Sequence, residues 1–536
     1  MEEHEQLEDK QTAVQTNARA ADKATAEALA ETPVKAPAEA TVETPAEAAG
    51  ATPAKTKPRR RRHRGLKVAL IVVACVAAIA SLVFTGVVQW RLGLASSSDF
   101  MIGEPQPIEA VEGSVDASGN ITANVTYSSI VADDGKDATE TIEWNDDWFF
   151  ADSSEYNHQL ARTAIVLSTV ANSESVHYQA GSDSGDYMEN ILAQLGFDNM
   201  STASYQYRSE IIDQLSAVFK DKGTDVTAYT IASKEIVNSQ TGEKKLLVMA
   251  AVRGSYGTEW LSNLAMNFRS SMSDTYGYGE NDHQGFSEAA QELESRIFSY
   301  IMNLGHDPRD LSDISLFVCG HSRGGAITNL LGSAIDKEYY EAEAATKVGA
   351  AEVGKGADGD VGNSAAIDGA IWIKGCIPAR SLYAYAFATP ELTESSDCRD
   401  AMYNNIFNIM NPSDLVPRMP LNVWGYERYG VDLWLPEYGN HGFDQQFIAV
   451  CAKFSEHVRC ETKSDPTDVE DVDKIVSDIA EVAPTIDDFK TPVGVVKSLY
   501  SMINGHDIVR IIHSHAPDLY CAWMETIDAS DLRTTR

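Results

Sequence analysis

The chain has little positive charge. Against 79 Asp and Glu it carries 43 Lys and Arg over 536 residues. Neutralising a phosphate backbone requires clustered basic side chains, so this balance excludes a nucleic-acid partner. Cysteine is scarce as well, with seven in the whole chain and no CxxC pair. That removes zinc-ribbon and thioredoxin-like redox chemistry, and it rules out a disulfide-dense scaffold. Cys75 lies in an apolar run, and Cys319 sits in an apolar strand pattern as an expected buried thiol. Among Cys376, Cys398, Cys451, Cys460 and Cys521, an oxidising exterior would permit one or two bridges, with Cys451–Cys460 a candidate pair.

The basic residues that exist are concentrated in KPRRRRHRGLK, residues 57–67. Directly after it comes VALIVVACVAAIASLVFTGVVQW, residues 68–90, with no charged side chain. Roughly 20 apolar residues suffice to cross a bilayer as a helix, since a helix satisfies its backbone internally. Arginines before the span and only Arg91 soon after it place the N-terminus on the cytoplasmic side. The expectation is a signal anchor over 67–90, with the remainder of the chain outside the cell membrane. Residues 1–66 are Ala-, Glu-, Thr- and Pro-rich up to the basic cluster. They offer too little apolar surface to offset the entropy of ordering, and read as a disordered cytoplasmic tail.

Beyond the anchor, residues 91–150 read as a linker with short strands, GNITANVTYSSIVA showing β-branched alternation. From 151 onward, helical and strand patterns alternate. HQLARTAIVLSTVAN has helical spacing; VTAYTIASKEIV and KKLLVMAAVRG read as strands; HQGFSEAAQELESRIFSYIMNLG is a long amphipathic helix with Phe286, Ala290, Leu293, Ile297 and Ile301 on one face. Then follow a strand ISLFVCG, a helix from SRGGAITNLLGSAI, and a strand SLYAYAFATP. This alternation predicts an α/β domain over 151–536, a mostly parallel sheet with helices on both faces. An acidic, Gly- and Ala-rich insertion near 336–370 reads as a mobile surface loop. Its DGDVGNSAAIDG does not have EF-hand spacing.

In Gly320-His321-Ser322-Arg323-Gly324, a strand hands over to a helix through a turn that only small neighbours allow. A serine there is exposed at the carboxyl end of the sheet, beside the positive end of the following helix. Its hydroxyl is a weak nucleophile until an imidazole takes its proton, and that imidazole must be oriented by a carboxylate. In chain order Ser, Asp, His, the candidates are Asp414 in FNIMNPSDLVPRMP, with Asp432 and Asp444 as rivals, and then His506, His513 and His515. His513 and His515 form an H-x-H pair without an evident third ligand, so no metal is expected.

VRGSYGTEWLSNL, HQGF, GHSRGGAITNLL, YAFATP, NPSDLVPRMP and HSHAPDLY follow one another as in the class 3 lipases, a branch of the α/β-hydrolases. The chain resembles a membrane-anchored bacterial member of that family over about residues 150–525. The resemblance implies Ser322 as nucleophile, Asp414 as acid and His515 as base, with His513 the alternative. It also implies that Ser255 and Arg323 supply the backbone N–H groups that bind the tetrahedral oxygen. EWLSNLAMNF would then be either a lid that opens at lipid surfaces or a permanently docked helix.

The expected function is hydrolysis of acyl esters, lipase or esterase type, without a cofactor. Phospholipase or thioesterase chemistry would use the same triad; an inactive surface module or signalling through the tail are the rivals of another class. The acidic outer part disfavours anionic headgroups, so a neutral or diffusible ester fits better.

Overall fold

A computed structural model describes residues 105–109, 111, 114–132, 137–178, 186–205, 227–254, 281–307, 310–353, 377–503 and 505–535. The tail, the 67–90 span, Ser255 with the segment after it, Cys376 and the later part of the insertion lie outside the described residues. Among the described residues, no helix is long and apolar enough to cross a membrane.

The strands are β1 (Gln106–Pro107), β2 (Ser114–Val115), β3 (Ile121–Ser128), β4 (Asp137–Trp144), β5 (Asn199–Ala203), β6 (Tyr229–Val237), β7 (Lys244–Val252), β8 (Ile314–His321), β9 (Leu382–Phe387), β10 (Ile406–Met410), β11 (Val431–Trp434) and β12 (Arg533–Thr535). The main sheet has nine strands in the order β1-β5-β6-β7-β8-β9-β10-β11-β12. From β7 to β11 every neighbour is parallel, while both flanks are antiparallel. The parallel strands are mostly apolar, as strands covered on both faces are; β8 and β9 are buried along their whole length.

The helices are α1 (His158–Tyr178), α2 (Tyr187–Gln194), α3 (Gln284–Asn303), α4 (Arg323–Val353), α5 (Phe443–Val458), α6 (Asp468–Val482), α7 (Ile486–Lys490), α8 (Pro492–Ile503), α9 (Ile508–Ser514) and α10 (Pro517–Thr526). On one face of the sheet, α1 and α10 share a core with Phe317, Cys319, Tyr385 and Phe407. On the other, α3 and α4 pack against Val248, Leu316, Val318 and Ala384. The stripe expected from spacing is the one buried: Ala290, Leu293, Ile297 and Ile301 are fully covered and Phe286 nearly so.

The small sheet β2-β3-β4 joins the first core through Trp144, whose ring lies 5.1 Å from Phe149 and 6.2 Å from Phe317. The first part of the insertion is helical, because α4 runs on to Val353. Its Ala- and Glu-rich sequence lets the helix outlast the apolar stripe. The Cys451–Cys460 pairing is corrected, since both are free thiols. Cys451 lies on α5, which ends at Arg459 in a left-handed turn (φ 64°) that carries Cys460 toward the Val131 carbonyl.

Candidate active site

Ser322 sits between β8 and α4 at φ 58°, a left-handed conformation costly for any residue with a Cβ. The surrounding backbone holds it there: its N–H donates to the Phe387 carbonyl at 2.8 Å, and its own carbonyl accepts from Ala326 at 3.0 Å. The glycines of the pentapeptide are demanded by contact. A Cβ on Gly320 would meet the Gly324 oxygen at 2.2 Å, and one on Gly324 would meet the Val252 oxygen at 2.4 Å. Arg323 opens α4, where the first N–H groups have no intrahelical acceptor and the helix dipole is positive.

Asp414 lies in the loop after β10 and is completely buried. Its Oδ1 accepts the Val416 N–H at 2.9 Å. The Oδ2 faces His515, which caps the C-terminus of α9. His515 Nδ1 is 2.7 Å from that oxygen, and Nε2 is 3.0 Å from Ser322 Oγ. A carboxylate only accepts, so the ring proton belongs on Nδ1, leaving Nε2 to accept from the serine hydroxyl. Serine, imidazole and carboxylate are thus one hydrogen-bonded chain, with Ser322 and His515 exposed by 6% and 7%.

The other candidates stand elsewhere. His513 is buried in the last turn of α9, and it is His515 that makes the bonds to Asp414 and Ser322. His506 bonds Asp471 at 2.9 Å. Asp444 is exposed in the first turn of α5. Asp432 is buried between Arg399 at 2.8 Å and Arg428 at 3.1 Å. Burial works against its charge, but the two guanidinium groups outweigh it and hold the carboxyl below its ordinary value. Such an acid clamps the sheet edge. Ser255 lies outside the described residues.

His321 lies against His515, their ring centres 4.8 Å apart. Burial pushes its titration well below the ordinary value, and the neighbouring His515 lowers it further, so this ring stays neutral. Among the described residues no cluster of His, Cys, Asp and Glu is placed to hold a metal ion.

Two contributors were not foreseen. Tyr520 donates its hydroxyl to Asp414 Oδ2 at 2.8 Å, and it stood inside the HAPDLY motif without an assigned part. Asn411 holds the loop from the other side, its Nδ2 donating to the Ser514 carbonyl at 3.0 Å. It opens the NPSDLVPRMP motif, right after β10, and like Tyr520 had no assigned part.

Residues 249–424 match the class 3 lipase family, described as "Lipase (class 3)". A comparison with curated proteins finds no match. Among solved structures, the chain is similar to the Rhizomucor miehei lipase propeptide complex, at 15% identity and TM-score 0.25, covering 40% of this chain and 53% of that one. It is also similar to the mono- and diacylglycerol lipase from Aspergillus oryzae (17% identity, TM-score 0.30, 54% of this chain and 85% of that one). A mutant form of MDLA from Penicillium cyclopium is a further match, at 18% identity and TM-score 0.27, covering 53% of this chain and 80% of that one. Likeness at this level says nothing about substrate. The match to the class 3 lipase family thus covers residues 249–424 and not the whole chain, and it supports a carboxylic ester hydrolase.

Proposed function

We propose that the chain is a serine hydrolase of acyl esters, of lipase or esterase type. The carrying observation is the bond chain Ser322–His515–Asp414 at 3.0 and 2.7 Å, built on a left-handed serine between glycines. Ser322 Oγ attacks the ester carbonyl while His515 Nε2 takes its proton. Asp414 keeps the Nδ1–H in place and offsets the imidazolium charge. The tetrahedral oxygen is held by backbone N–H groups at Arg323 and Ser255, each such donor contributing roughly 3–4 kcal/mol to the transition state. His515 then returns the proton to the leaving alcohol, and water releases the acyl group by the same steps in reverse.

The apolar run at 67–90, with arginines before it, supports a membrane-anchored enzyme with its catalytic domain outside the cell. Its substrate is then a lipid or another acyl ester met at or beyond the membrane surface, and the excess of acidic residues favours a neutral one.

The test is labelling of the purified full chain in detergent with a fluorophosphonate probe. Labelling should vanish in Ser322→Ala and His515→Ala and persist in His513→Ala. Persistence in Ser322→Ala, or its loss in His513→Ala with His515→Ala unaffected, would overturn the assignment. A panel of short and long p-nitrophenyl esters, phospholipids and acyl thioesters then sorts the substrate class.

A further inference from the structure

Helix α1 lies outside the family-matched segment, and near its end it buries Asn172, Ser173, Glu174 and Ser175, each exposed by 5% or less. Polar groups are buried without loss only when they are bonded. Ser173 is bonded to the Thr169 and Ser128 carbonyls, and Glu174 accepts the Met188 N–H. Asn172 and Ser175, which share a helix face, reach instead to the end of β7. Asn172 Oδ1 accepts the Gly254 N–H at 2.6 Å, and Ser175 Oγ accepts from an Arg253 guanidinium nitrogen, also at 2.6 Å.

The segment they grip touches the nucleophile turn. A Cβ on Gly254 would stand 2.6 Å from the His321 carbonyl oxygen and 3.4 Å from the Ser322 Cβ. The Arg253 N–H is tied to the Ala228 carbonyl at 2.9 Å, which fixes the strand in register up to that residue. Beyond it, the Gly254 amide is committed to Asn172 and cannot itself serve a tetrahedral oxygen. β7 itself is set by its pairing with β8 as far as Val252–Gly320; what α1 adds is a hold on Arg253–Gly254 just beyond the strand.

We propose that Asn172 and Ser175 are positioning residues that pin Arg253–Gly254 against the nucleophile turn, holding the chain just past β7 in place where it meets the tetrahedral oxygen. This rests on the reading of Ser322, His515 and Asp414 as the triad. Interactions made only with the tetrahedral state raise kcat and leave ground-state binding alone, so loosening the grip should act on kcat and on tetrahedral adducts together.

The experiment uses the full chain with p-nitrophenyl butyrate as substrate and butylboronic acid as a tetrahedral adduct of the serine. Asn172→Ala should lower kcat about tenfold or more, less than outright removal of an oxyanion donor. The inhibition constant for the boronic acid should rise by a similar factor, while KM stays within about twofold. Ser175→Ala should do the same more weakly, and the double variant should lose less than the product of the two, since both grip one segment. Asn172→Asp keeps the acceptor and should retain more kcat than Asn172→Ala. Ser173→Ala removes an equally buried hydroxyl bonded elsewhere, and should leave kcat and boronate affinity unchanged.

Boronate affinity unchanged in both Asn172→Ala and Ser175→Ala would overturn the proposal. So would a Ser173→Ala loss as large as theirs. Should Asn172→Ala not fold, Ser175→Ala and Asn172→Asp decide by the same readouts. Ser322→Ala separates the two levels: activity surviving there defeats the triad reading itself, whereas a dead Ser322→Ala beside fully active α1 variants defeats the positioning role alone.

Discussion

Tyr520 and His515 bond the same oxygen of Asp414, the tyrosine hydroxyl at 2.8 Å and the imidazole Nδ1 at 2.7 Å. The tyrosine oxygen also accepts the Asn411 N–H at 3.0 Å, so one side chain of α10 ties the acid to its own loop. Tyr520→Phe removes a donor from Asp414 and leaves a buried N–H unpaired. Stability should fall by about 1–3 kcal/mol, as for other orphaned buried donors. Loss of one orienting bond should also lower kcat, by about tenfold or less. Chemical denaturation and steady-state kinetics check the two; a variant as stable and active as wild type would remove Tyr520 from the site.

Two buried aspartates should fail in opposite ways. Asp414→Asn preserves the shape but offers His515 the wrong partner, and kcat should drop by roughly 10⁴ with the fold intact. Asp432→Asn instead leaves Arg428, only 3% exposed on its side chain, without its counter-charge. That should cost about 3–5 kcal/mol of stability, while the protein that stays folded is still labelled by the fluorophosphonate. Comparing labelling with the melting temperature of each variant separates acid from clamp.

Glu140 predicts how stability depends on pH. Its carboxyl is wholly buried, and burial pushes its titration up to about 7, partly countered by His457 and Arg162. Unfolded, it would lose its proton near the ordinary value of 4.5. Between those points the native state holds the extra proton, so stability should fall as pH rises from about 4.5 to about 7, by roughly 3 kcal/mol for this group. His457 is raised as well, despite burial, by Glu525 and Glu140, and contributes a loss of the same sign at higher pH. Denaturation at a series of pH values should show this slope, and Glu140→Gln should lessen it below pH 7, where the buried Glu174 and Glu391, raised to about 7 and about 8, supply the remainder. An equally steep slope in the variant would assign the effect to other groups.

Gly324→Ala tests the elbow as a contact. The added methyl would stand 2.4 Å from the Val252 carbonyl oxygen, a rigid strand atom unable to yield as a side-chain end would. A loss of about 1–3 kcal/mol or more is expected, as for other overpacked sites, together with lost labelling of Ser322. Gly439→Ala, at φ 87° with open space around it, should retain labelling and suffer only from backbone strain.

What the sequence determined by itself was local. Alternating apolar runs identified β6 to β9, the spacing of Phe286 to Ile301 identified α3, and small neighbours around Ser322 announced a turn where only a backbone approach could explain them. Chain order and motif carried the choice of Asp414 and His515. None of these depends on parts of the chain distant from one another. The tertiary structure decided what does: that His515 and not His513 meets Asp414, that Asp432 belongs to a pair of arginines, and that Tyr520 and Asn172 hold the parts in place. A hydrogen bond between residues such as Ser322 and His515 leaves no period or composition in either segment. It exists because the parallel strands β7 to β10 end on the same side of the sheet, and α1 and α10 pack where their polar side chains can reach those ends.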